Sequence, residues 1–261
     1  MRYVAVGDSF TEGVGDEPDG VHPRGWADLV AEGLAAEHGS VEYANLAIRG
    51  RLLEPIATGQ IDAALALAPR PTLLTFNGGG NDMLRPGGDL ARLIGLTRTA
   101  VRRCRDAGIE VVLLAGADPS SGLPFRDTIR SRGEYLTTEI AALATEQDLT
   151  FVDMFHDSEI RRPVYWSADR LHLNPIGHQR VAAHVLHAIG VHTLAVPDPP
   201  ADQVSGYRWT EDLRFTRSHL APWVIRRLRG RSSGDDREAK HPTWSRISGT
   251  AAGLPDRTPG K

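Results

Sequence analysis

The chain has 261 residues, 41% of them hydrophobic and 24% charged, which suits one sizeable globular core with room for an appendage. A lone cysteine, Cys104, excludes an intramolecular disulfide framework, and no run of ~18 apolar residues is present to span a bilayer. The net charge of −3 is uneven, since residues 197–261 carry 12 Lys/Arg against 8 Asp/Glu and the remainder is acidic.

Residues 2–6 predict a buried first strand, which hands over at Gly7-Asp8-Ser9 to a polar, glycine-rich loop. Trp26, Leu29, Val30, Gly33 and Leu34 recur at helical spacing and predict a helix over 25–38. Residues 41–47 read as a second strand. Leu53, Ile56, Ile61, Ala64 and Leu67 predict a helix over 53–68, stopped by Pro69 and Pro71. Residues 72–76 suit a strand buried on both faces, and it runs into the turn Asn77-Gly78-Gly79-Gly80-Asn81-Asp82. Asp89 is placed to cap a helix closed by Gly108, with Cys104 on its apolar face as a core residue. A fourth strand follows over 109–115, then a loop to Phe125. Ile129, Leu136, Ile140 and Leu143 mark a long helix, and residues 150–154 a fifth strand. Asn174-Pro175 opens the last helix, with asparagine as cap and proline in the first turn.

Five strand–helix alternations place the chain in the α/β class, with a parallel sheet covered by helices on both faces. After Pro197-Asp198-Pro199-Pro200 the composition changes. The expected organisation is one domain over 1–196, an appendage over 197–230 that packs on the domain or on a partner, and a disordered tail over 231–261. The cluster Arg226-Arg227-Leu228-Arg229-Gly230-Arg231 reads as exposed arginines on a packed helix, or as a contact for self-association, ahead of a nucleic-acid or membrane surface. With no basic segment leading into an apolar run of signal length, the expected compartment is the cytoplasm.

The strand ends carry the chemistry. A serine hydroxyl is a poor nucleophile until a base, most often histidine, takes its proton. The imidazole in turn needs a carboxylate to fix its tautomer. Asp169 and His172 stand three apart in a predicted turn, so the pair can assemble locally before meeting Ser9. The Ser9 and Gly50 N–H groups and the Asn81 amide stand at neighbouring strand ends as donors for an oxyanion. Asp153 and Asp157 are the competing carboxylates. Asp8 and Asp82 are expected to brace their turns, His178 to make a structural hydrogen bond, and His184 and His187 to be solvated. No phosphate loop or dinucleotide fingerprint is present, and no separate residue set has zinc-ligand spacing. No cofactor or metal is expected.

Taken together, Gly7-Asp8-Ser9, Asn45-Leu46-Ala47-Ile48-Arg49-Gly50, Gly79-Gly80-Asn81-Asp82 and Asp169-Arg170-Leu171-His172 occur in the order of the four blocks of the SGNH (GDSL-type) hydrolases, a family of esterases and lipases that the sequence resembles over roughly residues 1–190. The resemblance implies a flavodoxin-like three-layer α/β/α sandwich with a five-stranded parallel sheet. It also implies a catalytic triad of Ser9, Asp169 and His172, and an oxyanion hole from Ser9, Gly50 and Asn81. The function expected is hydrolysis of a small-molecule carboxylic ester through an acyl-enzyme. Two alternatives stay open: transfer of the acyl group to a sugar or other alcohol, and a non-catalytic binding protein on the same fold. Gly122-Leu123-Pro124-Phe125 is a candidate wall for an acyl pocket.

Overall fold

The computed structural model describes residues 1–85, 88–123, 125–199, 234 and 237–249. Five parallel strands form the frame: β1 (Arg2–Val6), β2 (Ser40–Asn45), β3 (Leu73–Phe76), β4 (Glu110–Ala115) and β5 (Thr150–Asp153). Their order across the sheet is β5-β4-β3-β1-β2. The chain winds one way from β1 to β2 and the other way from β3 onward. This leaves a crevice beyond the carboxyl ends of β1 and β3, where open α/β sheets bind ligands.

The alternation of side chains along each strand feeds two cores. Tyr3 and Ala5 join the face covered by α2 (Trp26–His38) and α8 (Pro175–Ala188), with Trp26, Leu34, Val181, Val185 and Leu186. Val4, Val6, Leu74 and Phe76 join the opposite face with Leu93, Val101 and Cys104 of α6 (Leu90–Asp106) and Leu143 of α7 (Arg126–Glu146). Cys104 is buried and free, and burial pushes its thiol up to about 11, so it is a core side chain as expected. The predicted caps form: Asp89 accepts from the Arg92 N–H, and Asn174 from the Gly177 N–H ahead of Pro175.

Two expectations are corrected. The helix foreseen over 53–68 is three pieces: α3 (Leu53–Pro55), a π-turn over Ile56–Gln60, and α4 (Ile61–Ala66). The wide turn delivers the buried Gln60 to Gly7, where its amide pairs with both backbone groups: the Gly7 N–H donates to Oε1 at 2.7 Å, and Nε2 donates to the Gly7 carbonyl at 2.9 Å. π-Turns of this kind cluster at functional sites.

The second correction concerns the tail. Residues 231–261 were expected to be disordered, yet His241–Ser248 is a sixth strand, β6, antiparallel to β2 at the sheet edge. Its polar sequence misleads because an edge strand is held by its ladder and needs few buried side chains. Ile247 and Trp244 suffice, and the Trp244 indole donates to the Pro69 carbonyl at 2.9 Å. Residues 200–233, with the arginine cluster and most of the expected appendage, lie outside the described residues. Among the described residues no helix is long and apolar enough to cross a membrane.

Candidate active site

Ser9 opens α1 (Ser9–Glu12), a one-turn helix that begins directly after β1. Asp8 caps it by accepting the Phe10 N–H at 3.1 Å. The turn is tight enough that a Cβ on Gly7 would lie 2.2 Å from Thr11 Oγ1, so no other residue fits there. Across the crevice, Asp169 and His172 sit in the turn before α8. Asp169 Oδ1 accepts the Leu171 and His172 N–H groups, each at 3.0 Å, and the Ser167 hydroxyl at 2.7 Å. Its Oδ2 faces His172 Nδ1 at 2.6 Å. An ionised carboxylate only accepts, so Nδ1 carries the proton and Nε2 is left as an acceptor. Nε2 stands 3.1 Å from Ser9 Oγ, bridging a separation of 163 residues. Burial alone would raise the Asp169 carboxyl; its hydrogen bonds from His172 and the backbone outweigh this and hold it well below the usual carboxylate range.

The approach of these two loops depends on glycine. Gly15 has φ of +101°, and a Cβ there would lie 2.0 Å from the Leu173 carbonyl, adjacent to His172. His178 reinforces the same junction. It is fully buried, its Nδ1 accepts the Trp26 N–H, and its Nε2–H donates to the Val14 carbonyl, both at 3.2 Å. This is the structural role expected of it. Burial pushes its pKa down to about 4 from 6.5. The unfolded chain therefore binds more protons than the folded one between these values, and stability rises with pH across that window. On acidification from pH 6.5 to 4 the wild type loses up to about 3 kcal/mol from this one group. His178→Asn should show a flatter pH dependence of its urea midpoint; an unchanged slope would refute the assignment.

The remaining predicted residues also surround Ser9. Asn81, in α5 (Gly80–Met83), donates through Nδ2 to Asp8 Oδ2 at 3.0 Å and to the Arg51 carbonyl at 3.1 Å. Burial raises the Asp8 carboxyl to about 6. Gly50 adopts φ of +76° and lines the same cavity. Asp82 Oδ2 accepts the Leu53 N–H at 2.9 Å, a bracing bond between the third block and α3.

The competing carboxylates are engaged elsewhere. Asp153 holds His156 Nδ1 at 2.7 Å, and Asp157 holds Arg180 at 2.7 and 3.0 Å. His184, expected to be solvated, turns Nε2 toward Asp157 at 3.6 Å, because the Arg180–Asp157 pair stands on the same helix face.

Ser9, Gly50, Asn81 and His172 share a cavity of about 330 Å³ whose lining is mostly apolar and includes Met83, Leu114, Leu136, Ile140 and Phe155. The wall foreseen at Gly122-Leu123-Pro124-Phe125 is corrected: the described residues of that segment do not line the cavity, and Phe125 is 82% exposed. The apolar lining comes instead from α7, through Leu136 and Ile140, and from the end of β4.

Some residues of the site carry no sequence signal. Gln60 acts on Gly7 through the backbone. Glu12, the buried last residue of α1, binds Arg49 through its N–H at 2.6 Å and its guanidinium at 2.6 and 2.8 Å, holding the loop that carries Gly50. An isolated Gln, or a Glu followed by an Arg 37 residues later, points to nothing until the fold joins them.

A doubly wound α/β/α sandwich with a serine, a histidine and an acid converging at its strand ends defines a hydrolase of the SGNH class. The sequence matches the profile of the GDSL-like lipase/acylhydrolase family over residues 5–180, and the chain belongs to that family. Solved structures share the fold. The psychrotrophic esterase EstA of Pseudoalteromonas sp. is 18% identical with a TM-score of 0.58, over 72% of this chain and 96% of its own. TesA is 24% identical with a TM-score of 0.60, over 72% and 98%. The acetylxylan esterase Axe2 of Geobacillus stearothermophilus is 19% identical with a TM-score of 0.61, over 75% and 97%. No curated protein matches the sequence.

Proposed function

We propose that this chain hydrolyses carboxylic esters through an acyl-enzyme on Ser9. The observation that carries the reading is the line from Asp169 through His172 to Ser9, at 2.6 and 3.1 Å. Ser9 Oγ attacks the ester carbonyl while His172 Nε2 takes its proton, and the carbonyl π electrons move to oxygen. The oxyanion is received by the Ser9 and Gly50 N–H groups and by Asn81, whose amide exchanges one of its present bonds for it. His172 protonates the departing alcohol as the tetrahedral carbon collapses. Water then enters, deprotonated by the same nitrogen, and releases the acid. Family membership supports this reading, as does Axe2, whose catalytic mutants replace an aspartate and a histidine three positions apart, the spacing of Asp169 and His172. Labelling of Ser9 by a fluorophosphonate probe tests it; a chain that takes no label on Ser9 is not this enzyme.

The cavity supports a further choice of substrate. Its lining is mostly carbon surface, which fits an aliphatic acyl chain better than an acetyl group. Each methylene it buries contributes ~0.8 kcal/mol, or roughly fourfold in kcat/KM. Across p-nitrophenyl esters, octanoate should therefore exceed acetate by on the order of a hundredfold if about half of its added methylenes are buried. Leu136→Trp, which fills the slot, should lower the octanoate-to-acetate ratio at least tenfold by the same scale. A flat chain-length profile in the wild type would reject the acyl slot while leaving the Ser9 chemistry standing.

A further inference from the structure

The family match ends at residue 180, but the chain beyond it returns to the site. β6 runs along β2 from Ser40 opposite Ser248 to Asn45 opposite His241, with a register shift between Tyr43 and Asn45. Just before it stands Lys240, one of only two lysines among 30 basic residues. Its side chain is 10% exposed, and Nζ meets three oxygens: the Glu12 carbonyl at 2.9 Å, Asp28 Oδ2 at 2.6 Å, and the Arg24 carbonyl. An ammonium has three donors in a compact tetrahedral head, whereas a guanidinium presents a planar fork. Three convergent oxygens suit the first and not the second. In a chain that otherwise uses arginine almost throughout, this is where lysine stands.

The place of the contact gives it meaning. Glu12 closes the one-turn helix that Ser9 opens, so Lys240 bonds the far end of the nucleophile's own helix. The Glu12 side chain holds Arg49, the neighbour of Gly50. Upstream, Gly234 packs on the same loop, where a Cβ would lie 2.1 Å from the Arg49 carbonyl. Downstream, His241 sets its ring against Tyr43, whose hydroxyl accepts from Asn45 Nδ2, and that amide also donates to the Thr11 carbonyl. The returning segment thus touches the Ser9 helix, the Gly50 loop and the end of β2 together.

We infer that the C-terminal return, Gly234 and residues 237–249, is a clasp on the catalytic frame, and that Lys240 is a positioning residue that sets Ser9 and Gly50 through Glu12. The inference rests on the Ser9 reading. Removing the ammonium leaves α1 and the Arg49–Gly50 loop free to shift, and a shift of about 1 Å costs on the order of a hundredfold in rate.

The test is Lys240→Met in the full chain, with active sites counted by fluorophosphonate labelling and turnover followed on p-nitrophenyl butyrate. The expected result is a fall of at least about tenfold in kcat per labelled site, with KM within about threefold. Lys240→Arg should not restore it. Trp244→Phe, which removes the bond to Pro69 and trims the ring's packing on the core, should lower Tm and leave kcat per labelled site unchanged, separating attachment of the strand from positioning. Should Lys240→Met not fold, Asp28→Asn keeps Lys240 and loosens its anchor, and a several-fold fall in kcat per labelled site is expected. Unchanged kcat per labelled site in the folded variant overturns the clasp, even if Tm drops. A wild type that neither labels nor turns over overturns the Ser9 reading beneath it, and the clasp with it.

Discussion

Ser9→Ala is expected to abolish turnover of p-nitrophenyl esters, a loss on the order of 10⁴-fold or more. The hydroxyl lies in α1 with its oxygen 3.1 Å from His172 Nε2, and among the described residues no other hydroxyl bonds that nitrogen. The substitution removes one oxygen from a half-buried side chain. It leaves the Asp8 cap on the Phe10 N–H and the Gln60 pair on Gly7 in place. The variant should therefore keep its Tm to within a few degrees, because surface-level losses of this kind stay near 0.5 kcal/mol. Circular dichroism and a thermal scan establish the fold, and the ester assay reads the chemistry. Activity within tenfold of wild type in a folded Ser9→Ala chain would remove the acyl-enzyme reading altogether.

Asp169→Asn should come close to this, with kcat down by roughly 10³–10⁴-fold. The reason is the tautomer. Three donors converge on Asp169 Oδ1, from Leu171, His172 and Ser167. In the variant the amide oxygen stays with them, and the NH₂ turns toward His172 Nδ1. That nitrogen must then accept, the ring proton moves to Nε2, and Ser9 loses the base that faces it. The geometry is preserved while the proton is on the wrong side. Asp153→Asn and Asp157→Asn are the controls, since these carboxylates hold His156 and Arg180 instead. Neither should lower kcat by more than a few-fold. A comparable collapse in Asp153→Asn, with Asp169→Asn near wild type, would reassign the acid.

The two halves of this site differ in how far the amino-acid sequence discloses them. Asp169 and His172 are three residues apart, and the bonds that shape their turn are made within residues 167–172, so the pair is written locally. Gly7-Asp8-Ser9 is equally local, a strand end with its own cap. By contrast, Gln60 reaches Gly7 only because the chain widens into a π-turn over Ile56–Gln60. A periodic apolar pattern over 53–68 reads as continuous helix, since one extra residue in a turn hardly disturbs the spacing. The cavity escaped for a similar reason. The loop 122–125 carries conspicuous apolar residues, but the wall comes from Leu136 and Ile140, which look like any buried helix face.

Sequence alone determined the features whose causes lie within a few residues: the five alternating strands and helices, the caps at Asp89 and Asn174, the turn at Ser9, and the Asp169–His172 pair. Tertiary structure decided what depends on partners far apart along the chain. It brought Ser9 to His172 across 163 residues, engaged Asp153 and Asp157 elsewhere, and folded a polar tail back as β6 with Lys240 against the end of the Ser9 helix. Hydrophobic periodicity reports which face of an element is buried, and capping reports where it begins. Neither reports which oxygen a buried ammonium will find, because that choice is made by the packing of the whole domain.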